Sequence, residues 1–199
     1  MSSSRQVPQA NFMGILGEHL RDVRFYEKRS IFISEPVTSK TAGRVVADLL
    51  SLDEDKKETI FLYLNSPGGE VHSGFAIFDT IRYIESPVKV ITTGLCASIA
   101  TIINVAVPRK FRFAMPHAKF LIHQPLISGE IYGQASDIEI TANQILRTRA
   151  QLNKILAEEC GKELSKLEED TMRDYWMLAE EACAYGLIGK VIKSKTEIA

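Results

Sequence analysis

Short runs of β-branched and aromatic residues alternate with helical patterns along most of this chain. Ile31-Phe32-Ile33 is the first apolar run, and from Ser39 to Leu50 the residues Val45, Val46, Leu49 and Leu50 recur at helical spacing. Strand-like runs follow at Ile60 to Leu64, Val88 to Thr93 and Phe120 to Ile122, with helical stretches at about Ser73 to Ile84 and Ser98 to Val107 between them. Strands alternating with helices in this way predict an α/β domain with parallel strand pairing. From Gln134 to about Cys160 a helical pattern runs without Gly or Pro, carrying Ile138, Ala142, Ile145, Leu152, Ile155 and Leu156 near one face. Such a helix is about 35 to 40 Å long at 1.5 Å per residue, more than a domain of this size requires. It is expected to project and to bury its stripe against another subunit, packing within its own domain being the competing reading. Residues 1–16 mix Ser, Gln, Pro, Asn and Gly without sustained periodicity and are expected to fray or to order against a partner. Residues 17–199 read as one domain.

Composition narrows the function classes. With 199 residues and 45% hydrophobic content the chain supports one real core. The 24 basic and 25 acidic residues give a net charge of -1 and form no basic stripe, which argues against nucleic acid as a partner. No apolar run approaches the roughly 18 to 20 residues of a membrane span, and the first residues lead into polar sequence, so a cytoplasmic protein is expected. Cys96, Cys160 and Cys183 are odd in number and spaced for neither a disulfide framework nor zinc, which reads as buried small hydrophobes.

Three segments carry chemistry. Gly94-Leu95-Cys96-Ala97-Ser98-Ile99-Ala100 ends one apolar strand and opens an apolar helix. A serine there meets free backbone N–H groups and the positive end of a helix dipole, which suits acyl transfer; serine is also a preferred N-cap, so the position alone leaves both roles open. Asn65-Ser66-Pro67-Gly68-Gly69 follows the strand Ile60 to Leu64. Paired glycines let a backbone approach a ligand and point an amide at it, although a plain tight turn has the same sequence. In Phe120-Leu121-Ile122-His123-Gln124-Pro125 a histidine ends an apolar strand, where it serves either as a general base or as a merely hydrogen-bonded residue.

In this order and at this separation the three segments resemble the ClpP family of proteolytic subunits of ATP-dependent Clp proteases. The resemblance runs from about Ile31 to Ile192 and includes Arg112-Phe113-Ala114-x-Pro116-x-Ala118, Gly133-Gln134-Ala135-x-Asp137-Ile138-Glu139-Ile140 and Tyr185-Gly186-Leu187-Ile188. It implies a ClpP/crotonase-type spiral of βα units with a long handle helix, about 124–160. It also implies a serine peptidase with Ser98 as nucleophile, His123 as general base, Asp174 as third member, and the amides of Gly69 and Ile99 as the oxyanion hole. Within Asp170-Thr171-Met172-Arg173-Asp174 the family pattern assigns the carboxylate to Asp174 and leaves Asp170 as the fallback. These groups must meet within hydrogen-bonding reach.

The resemblance further implies heptameric rings stacked as a tetradecamer, with Arg173 at the ring–ring contact and residues 1–16 as an axial gate. A hexameric AAA+ unfoldase of the Clp/Hsp100 type would dock at Phe61, Tyr63 and Tyr83 and deliver unfolded proteins, using ATP itself and leaving this subunit without a cofactor or metal. The chain departs from the pattern in several places, among them a replaced member of the usual paired glycines in the segment after His123 and an amino-terminal segment with little similarity. The segment from Gln124 to Tyr132 is about two residues longer than usual, Met172 stands where relatives carry an acidic partner for the arginine, and Ile99 replaces a methionine. These departures lead to the expectation that the subunit works beside a diverged paralogue and is poorly active alone. The competing readings are a noncatalytic ring subunit and a crotonase-like acyl-CoA enzyme.

Overall fold

The computed structural model describes residues 23–126 and 133–198; the gate region 1–16 and most of the lengthened segment after Gln124 lie outside the described residues. The elements run β1 (Ser30–Ile33), α1 (Ser39–Asp55), β2 (Ile60–Ser66), α2 (Val71–Tyr83), β3 (Val88–Ala97), α3 (Ile99–Asn104), β4 (Arg112–Ala114), β5 (Lys119–Ile122), α4 (Ala135–Cys160), α5 (Leu164–Asp170), β6 (Tyr175–Leu178), α6 (Ala179–Tyr185) and β7 (Lys190–Val191). The sheet order is β1-β2-β3-β4-β7, with β5 on β3 and β6 on β5. All of these pairings are parallel except β5 with β6, which is antiparallel. The mixed α/β architecture with a parallel sheet is the one read from the alternation of patterns.

Burial explains which apolar positions matter. In α1, which Thr38 caps by accepting from the Thr41 amide at 3.2 Å, Val45 and Leu49 are buried while Leu50 turns outward. Strand β2 splits its residues between two apolar layers, as a period of two requires. Ile60, Leu62 and Leu64 enter the main core, whereas Phe61 and Tyr63 pack from the opposite face against Ile91, Phe113, Ile192 and Ile198.

Strand β3 organises the molecule. Its first half pairs with β4 at Val90 to Thr92 and its second half with β5 at Leu95 to Ala97. The sequence pattern ends this strand at Thr93, but the strand runs on to Ala97. The register slips opposite Asn65, between the pairs Leu64↔Thr92 and Ser66↔Cys96. There the Asn65 side-chain carbonyl accepts from the Leu95 amide at 2.9 Å and takes over the ladder's role. Only glycine at 94 allows it, because a Cβ on that residue would lie 2.6 Å from Asn65 Oδ1.

Helix α4 spans 26 residues, about 39 Å. It ends at Gly161, whose φ of 65° is the left-handed conformation that glycine adopts freely. Every residue from Ala135 to Gln151 is exposed or half-buried, and the buried side chains begin at Leu152. The handle is therefore rooted by its last third, and Ile138 and Leu146 remain 41% and 54% exposed. Among the described residues no helix is long and apolar enough to cross a membrane.

The final turn, residues 195–198, is held by Glu197. Its carboxylate accepts from the Lys193 and Ser194 amides at 2.8 and 3.0 Å and pairs with Lys190 at 2.9 Å. The hydrogen bond from Lys190, then the Lys193 amide, draws its pKa from the ordinary 4.5 down to about 2. A carboxyl depressed in the folded state contributes in full above its unfolded pKa and loses that contribution as pH falls through the folded one. Hydrogen-exchange protection of the 193 and 194 amides is therefore expected to drop between about pH 4.5 and about pH 2. Protection that stays constant across that window would show that Glu197 does not hold the turn.

Candidate active site

Ser98 stands between the last residue of β3 and the first of α3 with φ 57° and ψ −128°, a conformation that non-glycine residues rarely adopt. Its side chain makes no capping bond, so the N-cap role open to it in the sequence is not realised. The turn is held instead by backbone bonds. The Ser98 amide donates to Leu121 O at 2.9 Å and the Thr101 amide to Ser98 O at 2.9 Å. The first of these ties Ser98 to β5 two residues before His123, which brings the ends of two adjacent parallel strands together.

The Gly68-Gly69 turn closes the site from the β2 side. A Cβ on Gly68 would lie 2.7 Å from Ser98 Cβ and 3.2 Å from Ile99 N, so only glycine admits the turn this close to the serine. The turn is pinned by Ser66, whose hydroxyl donates to Glu35 O at 2.7 Å and accepts from the Gly68 amide at 3.2 Å. Val37 donates to Gly68 O and accepts from the Glu70 amide, both at 2.8 Å, forming a parallel bridge opposite Gly69. In that geometry the N–H of Gly69 itself points away from Val37. Ile99 opens α3, and the first amides of a helix have no acceptor within it.

His123 follows β5 and is 14% exposed; its Nδ1 lies 3.1 Å from Asp174 Oδ1. Gln124 fixes that pairing by bonding the turn that carries the aspartate. Its amide donates to Thr171 O at 2.8 Å and its side chain to Met172 O at 3.1 Å. Thr171 is itself anchored, its hydroxyl donating to Leu167 O at 2.7 Å and lying 3.1 Å from Asn153 Oδ1 of α4. Asp170, the sequence's fallback for the third position, is occupied elsewhere, with Tyr185 and Lys166 as partners.

Ser98 and His123 line one cleft together with Ile99, Ile122, Leu152 and Asn153. Among the described residues no hydrogen bond joins the serine hydroxyl to the imidazole. Cys96, two residues before the serine, does not compete as a nucleophile, because burial pushes its thiol pKa up. Burial also raises Cys160, to about 11. Among the described residues no cluster of three His, Cys, Asp or Glu side chains suits a metal ion.

The outer positions separate into groups. Phe61 and Tyr63 are half-buried on one face of β2, while Tyr83, at the end of α2, is 81% exposed and belongs to neither apolar cluster. Arg173 is exposed beside Asp174. The roles of Asn65, Gln124 and Thr171 escape sequence reasoning; the one available signal is the isolated glycine at 94 beside a strand pattern, a mark of close backbone approach.

The fold agrees with comparisons to known proteins. The chain is 44% identical over 177 residues to a Rhizobium etli protein named ATP-dependent Clp protease proteolytic subunit 3, an alignment covering 89% of this chain and 90% of the relative. Its structure superposes with a TM-score of 0.82 on an asparagine-to-aspartate variant of ClpP1 from Listeria monocytogenes, at 32% identity, covering 88% of this chain and 98% of that one. The family model described as Clp protease matches residues 18–195. With that match spanning most of the sequence, and a relative of such identity along nearly its full length, the chain belongs to the Clp protease family.

Proposed function

We propose that this chain is a serine endopeptidase subunit that cleaves unfolded polypeptides inside a closed ring assembly. The observation that carries the reading is the hydrogen-bonded His123–Asp174 pair in the cleft that also holds Ser98, beside a diglycine turn packed on the serine. In the reaction, Ser98 Oγ attacks the scissile carbonyl carbon while His123 Nε2 takes its proton. The oxyanion is met by the N–H groups of Gly69 and Ile99. His123 then returns the proton to the leaving amine, and water, activated by the same imidazole, releases the acyl group. Asp174 fixes the imidazole tautomer and stabilises the imidazolium without accepting the proton.

The same reading places the subunit in heptameric rings stacked as a tetradecamer, in the cytoplasm, with Arg173 and the unburied part of α4 at the ring–ring contact. A hexameric Clp-type AAA+ unfoldase docks at Phe61, Tyr63 and Tyr83 and consumes the ATP, so the subunit itself needs no cofactor or metal. Met172, which offers Arg173 no acidic neighbour at that position, supports a ring pair shared with a diverged paralogue.

The test is fluorophosphonate labelling of the assembled particle purified from its own cells, with native mass spectrometry of the same sample. Labelling at Ser98 and a mass containing two kinds of subunit are expected. An unlabelled Ser98 would make the chain a noncatalytic ring component, and a pure tetradecamer with robust cleavage would dismiss the paralogue.

A further inference from the structure

Asp174 is 61% exposed and its one side-chain bond among the described residues is to His123. Its side chain therefore does not locate itself; the backbone of residues 171–174 must do so. That short segment is held at both ends by one buried side chain. Tyr185, at the end of α6, donates its hydroxyl to Asp170 Oδ2 at 2.8 Å, just before the segment. Its ring lies 5.7 Å from the ring of Tyr175, immediately after Asp174. Lys166 pairs with the other oxygen of Asp170 at 2.9 Å, and the Lys162 ammonium stands 4.3 Å over the Tyr185 ring. Asp170 is 5% exposed on its side chain and Tyr185 is 9% exposed, so the hydrogen bond between them forms with water excluded. Burial and the Asp170 bond both raise the Tyr185 hydroxyl pKa, which keeps it a donor.

We infer that Tyr185, acting through Asp170 and Tyr175, is a positioning residue for Asp174 in the peptidase reaction, an inference that rests on the serine-peptidase reading above. Catalysis of this kind is sensitive to displacements of the order of an ångström, and a carboxylate on an exposed turn has the least protection against them. The Gln124 bonds secure the side of the turn that faces the imidazole, and Tyr185 secures its ends.

The test uses the full chain in its native assembly and an activated peptide ester, whose hydrolysis remains measurable in weakened variants. Tyr185→Phe keeps the ring against Tyr175 and removes the hydroxyl alone. It is expected to lower kcat roughly tenfold with KM and native mass unchanged, the size of a lost hydrogen bond to a charged group. In an Asp174→Asn background the same substitution is expected to change nothing further, because the carboxylate it places is gone. An unchanged kcat in Tyr185→Phe, or an equal loss in both backgrounds, would overturn the inference. Should Tyr185→Phe fail to assemble, Asp170→Asn, which keeps an acceptor but weakens the bond, takes its place with the same two outcomes. If wild-type Ser98 is not labelled by a fluorophosphonate, it is the peptidase reading that fails.

Discussion

Ser98→Ala is expected to reduce peptide hydrolysis by about 10⁶, and Asp174→Asn by about 10⁴, with KM nearly unchanged in both. The two figures differ for a physical reason. Removing the hydroxyl leaves no nucleophile, so what survives is the effect of substrate binding and of the Gly69 and Ile99 amides on attack by water. Replacing the carboxylate leaves nucleophile and base present, but a carboxamide next to His123 Nδ1 no longer selects one tautomer or stabilises the imidazolium. Asp170→Asn, at a carboxyl bonded to Tyr185 and Lys166, is expected to cost only about tenfold through the placement of the turn. Steady-state kinetics on the assembled particle measure all three. An Asp170→Asn loss as large as that of Asp174→Asn would reverse the assignment of the two aspartates.

Arg112→Met is expected to lower stability by about 3 kcal/mol or more, since removing one partner of a buried ion pair leaves the other uncompensated. Arg112 is fully buried at the start of β4. Its guanidinium donates to Val107 O at 2.6 Å, Glu159 O at 2.9 Å and Val105 O at 3.2 Å, and pairs with the Glu159 carboxylate. Burial lowers its pKa and Glu159 raises it back in part. The methionine fills much of the same volume, so the loss reports unpaired acceptors rather than a cavity. Glu159 keeps Arg82 as a second partner, which is why the expected loss lies at the lower end of the range for broken buried pairs. Urea unfolding at fixed subunit concentration is the measurement, because assembly contributes to apparent stability. A loss below about 1 kcal/mol would mean that water reaches the abandoned carbonyls. The network also explains the fold at this point. Val105 and Val107 follow α3, and Glu159 is near the end of α4, so one guanidinium ties the short helix behind Ser98 to the root of the handle.

The alternation of apolar runs was enough to read β1, β2, α1, α2 and the long α4, because each carries its period within one segment. The site was legible as three segments whose order resembles one family, and the structure brings those segments together. What the sequence hides is set by partners far away in the chain. Strand β3 outruns its pattern because Asn65, 30 residues earlier, completes its ladder. β4 and β7 are only three and two residues long, too short to show a period, and are defined by pairing with β3 and with each other. In β6 the sequence Tyr175-Trp176-Met177-Leu178 is apolar throughout, yet only Met177 is buried, so no alternation marks it as a strand. Helix α3 is shorter than its apolar run, since Val105, Ala106 and Val107 are buried as loop rather than as helix. The choice between Asp170 and Asp174 rested on the family pattern alone; in the structure Asp174 bonds His123 and Asp170 bonds Tyr185, partners from other elements that no local pattern reveals.

The left-handed backbone at residue 98 bears on how such a gene diverges after duplication. A serine with φ 57° is strained, and glycine occupies that region without penalty. On the serine-peptidase reading proposed above, Ser98→Gly would therefore relax the fold at the moment it abolished the chemistry. On that reading, selection for foldability alone does not preserve Ser98, and a copy released from the need to cut loses it without a cost in stability.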